Sequence, residues 1–285
     1  MNGLFETLYT GQAMGRTILG PSENIKNFDR DIFDAFRAKH YHAGNLIVAV
    51  AGGCDPAAIL KDIEDKIGDM PTGQRSVFDP AQYVGGQFEL VKPELQQVSL
   101  AVAFEAASTG DEKDVVAETI LSRVLSGGMS SRLFTEIREK RSLVYSVAAG
   151  FSRSMDGGFF VAQAGTSPEK VSELIPVLCT ELNKIRQEPV SDEEFERAKK
   201  QFRVAVAMEL DSMSDDRMRS NMMEYNMKED IQSVDEYMAK VDAVTKDDVL
   251  AAARRVFAGK PTFAAVGPKK PQETQQIAMR MGLEL

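Results

Sequence analysis

The sequence predicts an α+β fold with two related domains, each an antiparallel sheet with helices packed on one face, the first domain being incomplete. Three observations support this prediction. Strand candidates come in adjacent pairs, whereas helix candidates come in runs, which is typical of α+β proteins. The sequence contains an internal repeat of one structural element. A chain of 285 residues is long enough for two domains.

The repeated element occupies residues 40–52 (HYHAGNLIVAVAG) and residues 256–267 (VFAGKPTFAAVG). Two glycines recur at the same offset of 215 residues, and both copies follow a helix candidate. This predicts a first domain at 1–75, a linker at 76–86 and a second domain at 87–285. Fewer residues precede the second domain than the period requires, so we expect the first domain to lack its front part.

The elements of the first domain follow from local signals. Residues 27–41 carry apolar side chains at helical spacing, and the apolar run Leu46–Ala51 predicts a buried strand. Asp55 and Pro56 form an N-cap and first-turn pair that predicts a helix ending at Gly68. The Pro-, Gly- and polar-rich residues 69–85 indicate the linker.

The second domain is predicted to begin with a strand pair and to contain a hairpin that turns at MDGG. Ser167-Pro168 and a capping box at Ser191–Glu194 mark the starts of two long helices. The predicted elements are strands at Gln87–Val91, Val98–Phe104, Leu143–Phe151, Gly158–Ala164 and Thr262–Val266, and helices at Asp111–Leu125 and Ser131–Lys140.

Bulk composition excludes several classes of function. The chain is 43% hydrophobic and 27% charged, with a net charge of −9, which argues against nucleic acid as a partner. No apolar run is long enough for a membrane span, and the N-terminus does not resemble a signal peptide. Cys54 and Cys179 lie in apolar surroundings, so we interpret both as core residues in a reducing compartment.

The residue spacing gives little support to the candidate metal- and phosphate-binding motifs. His40 and His42 could suit a metal pair, but no Glu or Cys lies at ligand spacing, and no H-E-x-x-H or H-x-x-E-H occurs. The sequence therefore predicts no metal site. The SGGMSSRLF segment lacks the Lys and the glycine spacing of a phosphate-binding loop, which favours a junction between helices.

Arg138 and Tyr145 are the most informative pair. They lie seven residues apart in IREKRSLVYSV, one near a helix end and the other on the next strand. A guanidinium and a phenol aimed at one point could hold a carbonyl or a developing oxyanion. From spacing alone, a surface Arg and a half-buried strand Tyr are the alternative.

The segment LSGGMSSRLFTEIREKRSLVYSV, followed by GGFFVAQAGTSPEKV, resembles the second domain of the insulinase-type (M16) zinc peptidases. That family includes the mitochondrial processing peptidase subunits and their bacterial relatives. MGRTILGPSENI and HYHAGNLIVAVAGG resemble the closing part of the family's first domain. The short Gly127-Gly128 turn is similar to bacterial or β-type chains, since α-type subunits have a long glycine-rich loop there.

The resemblance implies two similar α+β domains, with the zinc motif H-x-x-E-H and a further Glu ligand in the first. The match begins after that Glu, so it implies no cofactor in this chain and zinc in the intact enzyme. In the family, an Arg and a Tyr at this spacing hold the substrate peptide near its scissile carbonyl. They correspond here to Arg138 and Tyr145.

Two hypotheses follow from the resemblance. The chain could be the C-terminal portion of an M16-type zinc endopeptidase that cleaves unfolded peptides in an enclosed chamber. It could instead be a non-catalytic partner or scaffold subunit. Either implies a peptide substrate and a homodimer, or a heterodimer with a zinc-bearing subunit, in the bacterial cytoplasm. A third idea is a peptide-binding module that uses an exposed sheet edge.

Overall fold

The computed structural model describes residues 2–109, 112–211, 214–228 and 231–268. They group into two compact units. The sheet unit comprises the described parts of 1–16, 81–205 and 233–285, and the helical unit comprises those of 17–80 and 206–232. Within the described ranges, no helix is both long and apolar enough to cross a membrane.

The sheet unit is built on five strands in the order β1-β5-β2-β4-β3. Their bounds are β1 Gln87–Val91, β2 Val98–Ala106, β3 Ser146–Arg153, β4 Gly158–Thr166 and β5 Thr262–Gly267. The pairs β3–β4, β4–β2 and β2–β5 are antiparallel, whereas β5 runs parallel to β1. The predicted α+β class is confirmed. The sheet is mixed because the last strand inserts between the first two.

Three helices cover one face of this sheet: α5 Glu112–Ser126, α6 Val171–Gln187 and α10 Lys246–Phe257. Their aromatic contacts fix the core. The ring of Phe257 on α10 meets the edges of Phe104 and Phe160 at centroid distances of 5.3 and 5.0 Å. All three rings are buried, so Phe104 and Phe160 point from their strands toward the helix layer.

A short N-terminal helix, α1 Asn2–Leu8, packs against the opposite face of the sheet. Leu4 and Leu8 are buried, and the Phe5 ring meets Phe159 edge-on at 5.2 Å. The sequence analysis did not predict this packing, because the partners of α1 lie far away along the chain. The N-terminal residues up to 16 therefore belong to the sheet unit. The domain boundaries at 75 and 87 stay a prediction.

Two further helices begin at capping boxes. Helix α7, Asp192–Asp211, starts at the predicted capping box, in which Ser191 and Glu194 exchange hydrogen bonds of 3.0 and 3.2 Å. Helix α9, Val234–Ala243, begins at a second capping box. The buried Lys199 donates to the carbonyls of Asp242 and Val244, so α7 closes the end of α9.

The helical unit contains α2 Ser22–Lys26, α3 Arg30–His40, α4 Pro56–Ile67 and α8 Ser214–Lys228. The predicted cap of α4 is confirmed, since the Asp55 carboxylate accepts from the Ala57 amide at 3.0 Å. None of the residues of α2, α3 and α4 is buried. The apolar face of α3 is therefore exposed.

The buried strand predicted at Leu46–Ala51 is wrong for this structure. The segment forms no strand, and Leu46, Val48 and Val50 are 44 to 49% exposed. A strand requires a neighbour for its backbone groups, and the described residues of the helical unit include no strand. The prediction that Cys54 is a core residue is also wrong, because that residue is exposed. Cys179 is buried, as predicted.

Candidate functional site

Arg138 lies in the last turn of a π-helix, Phe134–Glu139, within the segment predicted to be a short helix. A π-helix holds one extra residue per turn. It is rare and occurs most often as a single turn at functional sites. Ile137 is fully buried and fixes the segment to the sheet unit, whereas the next residue, Arg138, is exposed.

The π-helix ends in a strained turn at Ser142, whose φ of 51° is the one positive value at a non-glycine residue among the described residues. Its amide donates to the Arg138 carbonyl, and the Leu143 amide donates to the Ile137 carbonyl, both at 3.0 Å. In each of these two hydrogen bonds, donor and acceptor are one residue further apart along the chain than in the corresponding bond at the end of an α-helix that terminates in a left-handed residue. The extra residue of the π-helix accounts for that.

The Arg138 guanidinium lies over the Phe134 ring, 4.9 Å from its centroid. No ion pair to Arg138 exists among the described residues. The nearby carboxylate of Glu136 is bound by Lys140 at 2.6 Å and by Arg141 at 2.8 Å. These hydrogen bonds, from Lys140 first, lower the pKa of Glu136. Because Glu136 is already paired with two cations, the charge of Arg138 is left for another partner.

Tyr145 is the residue before β3, and its side chain is 62% exposed. Its amide donates to the Gly165 carbonyl of β4 at 2.9 Å, so the backbone is held while the phenol faces solvent. The two preceding residues, Leu143 and Val144, are buried. Arg138 and Tyr145 are thus exposed donors at the two ends of a connection that is anchored in the core.

Two further side chains, which the sequence analysis missed, reach this connection from the end of β4 and from the N-cap of α6. Thr166 donates to the Leu143 carbonyl at 2.5 Å, and the Lys170 ammonium donates to the Ser142 carbonyl at 2.8 Å. Hydrogen bonds from side chains to distant backbone groups leave no periodic trace in a sequence. The sequence contained only an indirect indication of these two side chains, because Ser167-Pro168 marks a helix start next to Thr166 and Lys170.

The glycine-rich segment before the π-helix is a junction between helices, as predicted. The Ser131 hydroxyl donates to the Gly128 carbonyl at 2.6 Å. Arg132 forms a two-pronged ion pair with Glu194 of α7, at 2.6 and 2.9 Å. The one arginine of this loop is therefore committed to a structural contact and does not face an anion site.

The described part of the chain contains no group of three or more His, Cys, Asp or Glu side chains that could hold a metal ion. His40 packs its ring against Phe36, at 4.6 Å between centroids. The Nδ1 atom of His42 is buried without a hydrogen-bond partner. Both residues belong to the helical unit, and among the described residues neither is part of a group of three potential metal ligands.

Comparison with known proteins identifies the relatives of this chain. The sequence profile described as "Peptidase M16 inactive domain" matches residues 27–202. Uncharacterized zinc proteases of Rickettsia bellii and Streptomyces coelicolor are 32% and 30% identical, over 93% and 95% of this chain and 63% and 60% of theirs. The chain thus spans about three fifths of the length of these curated relatives. A probable mitochondrial-processing peptidase subunit of Arabidopsis thaliana is 25% identical over 91% of this chain and 53% of its own.

Solved structures share the fold. A chain of complex III2 from Candida albicans superposes with a TM-score of 0.89 at 19% identity, covering 98% of this chain and 69% of that chain. The peptidase M16 inactive domain from Pseudomonas fluorescens gives a TM-score of 0.80 at 23% identity, covering 94% and 64%. At these identities the superpositions show the fold alone.

Proposed function

Because this chain belongs to the peptidase M16 family, whose inactive-domain profile matches residues 27–202, we propose that it supplies the substrate-binding half of an M16-type zinc endopeptidase. The intact enzyme would cleave unfolded peptides in an enclosed chamber. The observation that carries this proposal is the pair Arg138 and Tyr145, which present exposed donors at the two ends of one anchored connection.

The chemistry that these two residues can supply is hydrogen-bond donation to a peptide carbonyl. The guanidinium of Arg138 carries a permanent charge, and Tyr145 carries a neutral hydroxyl. Aimed at the scissile carbonyl, they would hold the substrate and stabilise the oxyanion that forms when the carbonyl is attacked. They would not activate the water.

Zinc does not fit the described residues of this chain, since they hold no group of three ligands. We therefore assign no zinc-dependent step to them. In the proposed enzyme the metal is bound elsewhere. If the enzyme is a heterodimer, a zinc-bearing M16 subunit binds the metal; if it is a homodimer, a further part of the same polypeptide does. The action of this enzyme in the bacterial cytoplasm belongs to the same proposal.

Tyr145→Phe tests the proposal because it removes one hydroxyl and leaves the ring. In the active complex we expect kcat/KM to fall roughly tenfold to a thousandfold, as for the loss of one oxyanion donor. Tyr41→Phe is the matched control, because Tyr41 is also 62% exposed. A rate that is unchanged in Tyr145→Phe would remove this residue from the mechanism.

The alternative is a non-catalytic partner or scaffold subunit, which the missing metal ligands of the described residues also favour. A scaffold need not donate to substrate. Copurification with a zinc-bearing M16 subunit, combined with full activity of the Arg138→Gln complex, would support the scaffold over the substrate-binding role. A loss of activity in Arg138→Gln would support donation in trans.

A further inference from the structure

The connection from Arg138 to Tyr145 is held at three successive points by the end of β4 and the residues that follow it. Lys170 binds the Ser142 carbonyl, Thr166 binds the Leu143 carbonyl, and the Gly165 carbonyl accepts from the Tyr145 amide. Thr166 is fully buried. The backbone between the two candidate substrate donors is therefore fixed from outside the π-helix.

This turn needs such external contacts. Ser142 occupies the left-handed region, which is unfavourable for a residue other than glycine. Without compensation the turn can leave the left-handed conformation, and the residues on its two sides would then change their separation. Arg138 and Tyr145 are those residues. Their mutual position depends on the contacts that hold the Ser142 and Leu143 carbonyls.

The placement of Lys170 is not explained by helix stability. It lies at the N-cap of α6, where the helix dipole favours acidic side chains and disfavours a cation. Its ammonium instead donates to the Ser142 carbonyl at 2.8 Å. The side chain thus stabilises the strained turn at the expense of its own helix.

We infer that Lys170 and Thr166 are positioning residues, which set the separation of Arg138 and Tyr145 without touching substrate. This inference rests on the proposed function. Lys200 provides the contrast, because it is an exposed lysine of α7 that makes no hydrogen bond to this turn in the described part of the chain.

Peptide affinity of the full chain is the first measurement, by fluorescence anisotropy with fluorescein-labelled casein as the unfolded probe. We expect Lys170→Met to weaken binding roughly three- to tenfold, as for one hydrogen bond, and Lys170→Arg to retain it. Lys200→Met, at an exposed lysine of α7, should bind like the wild type. In a Tyr145→Phe background, Lys170→Met should cause a smaller further loss, because the two residues act through one geometry.

Amide hydrogen exchange is the second measurement and requires no peptide. Lys170→Met and Thr166→Val should each accelerate exchange at the Ser142, Leu143 and Tyr145 amides, with exchange in β2 unchanged. Thr166 is buried, so its variant could unfold, whereas the exposed Lys170 can be replaced without a core defect.

The outcomes distinguish a failure of the positioning role from a failure of the proposed function. Unchanged binding and unchanged exchange in Lys170→Met, beside weakened binding in Tyr145→Phe, would overturn the positioning role alone. Unchanged binding in Tyr145→Phe would overturn the proposed function. An additive loss in the double variant would also contradict positioning, since it would mean that Lys170 acts independently of Tyr145.

Discussion

At the scale of single residues, the pair Arg132–Glu194 links the junction before the π-helix to α7. Both side chains are less than one-fifth exposed. Hydrogen bonds from Arg132, opposed by burial, lower the pKa of Glu194 to about 2. A carboxyl group whose pKa is lower in the folded state stabilises the fold above its unfolded pKa, and this stabilisation is lost as the pH falls through the folded pKa.

Glu194→Gln should therefore lower the free energy of unfolding at pH 7 by roughly 2–3 kcal/mol. The difference from the wild type should shrink as the pH falls from about 4.5 towards 2. Urea unfolding at pH 7 and pH 3 measures both values. Glu193→Gln is the control, because its carboxylate is 89% exposed. A pH-independent difference would mean that packing, and not charge, makes the contribution.

At the scale of elements, α1 makes the least predictable contact of the sheet unit. Leu8 is fully buried against a cluster that includes Phe159 and Val161 of β4. Leu8→Ala should cost about 2–5 kcal/mol of stability by leaving a cavity. Glu6→Ala, on the exposed side of the same helix, should have little effect. Thermal unfolding measures both, and equal transition temperatures would show that α1 does not hold the sheet.

Elements with local signals were predictable from the sequence. The cap at Asp55-Pro56 lies where α4 begins, and the capping box at Ser191–Glu194 lies where α7 begins. The hairpin turn at residues 154–157 closes with a Ser154 to Gly157 bond of 2.7 Å. Each signal depends on residues fewer than five apart, so the chain itself contains the information.

Long-range features were not predictable. The insertion of β5 beside β1 pairs Gln87 with Phe263, and no local pattern identifies that partner. The exposed Arg138 and Tyr145 could be named from their spacing, but the π-helix and the left-handed Ser142 between them could not. Ile137, within the π-helix, is fully buried, and such tertiary packing is not encoded in local propensities.

At the scale of the whole molecule, the repeated element provides an internal comparison. Residues 262–267 form β5, which is almost entirely buried, whereas residues 46–51 carry the same apolar pattern and form no strand. The two segments have similar local propensities but different surroundings. Partner strands, and not composition, therefore decide which copy becomes sheet.

Hydrogen exchange should reveal that difference directly. Amides of β5 should open only with the sheet unit, whereas amides of residues 46–51 should exchange orders of magnitude faster because they have no strand neighbours. Peptide-level exchange by mass spectrometry on the full chain compares the two copies in one experiment. Equal protection would contradict the prediction and would mean that residues 46–51 acquire a partner in solution. A concentration dependence of that protection would identify the partner as a second copy of the chain, joined through the unpaired backbone of this segment.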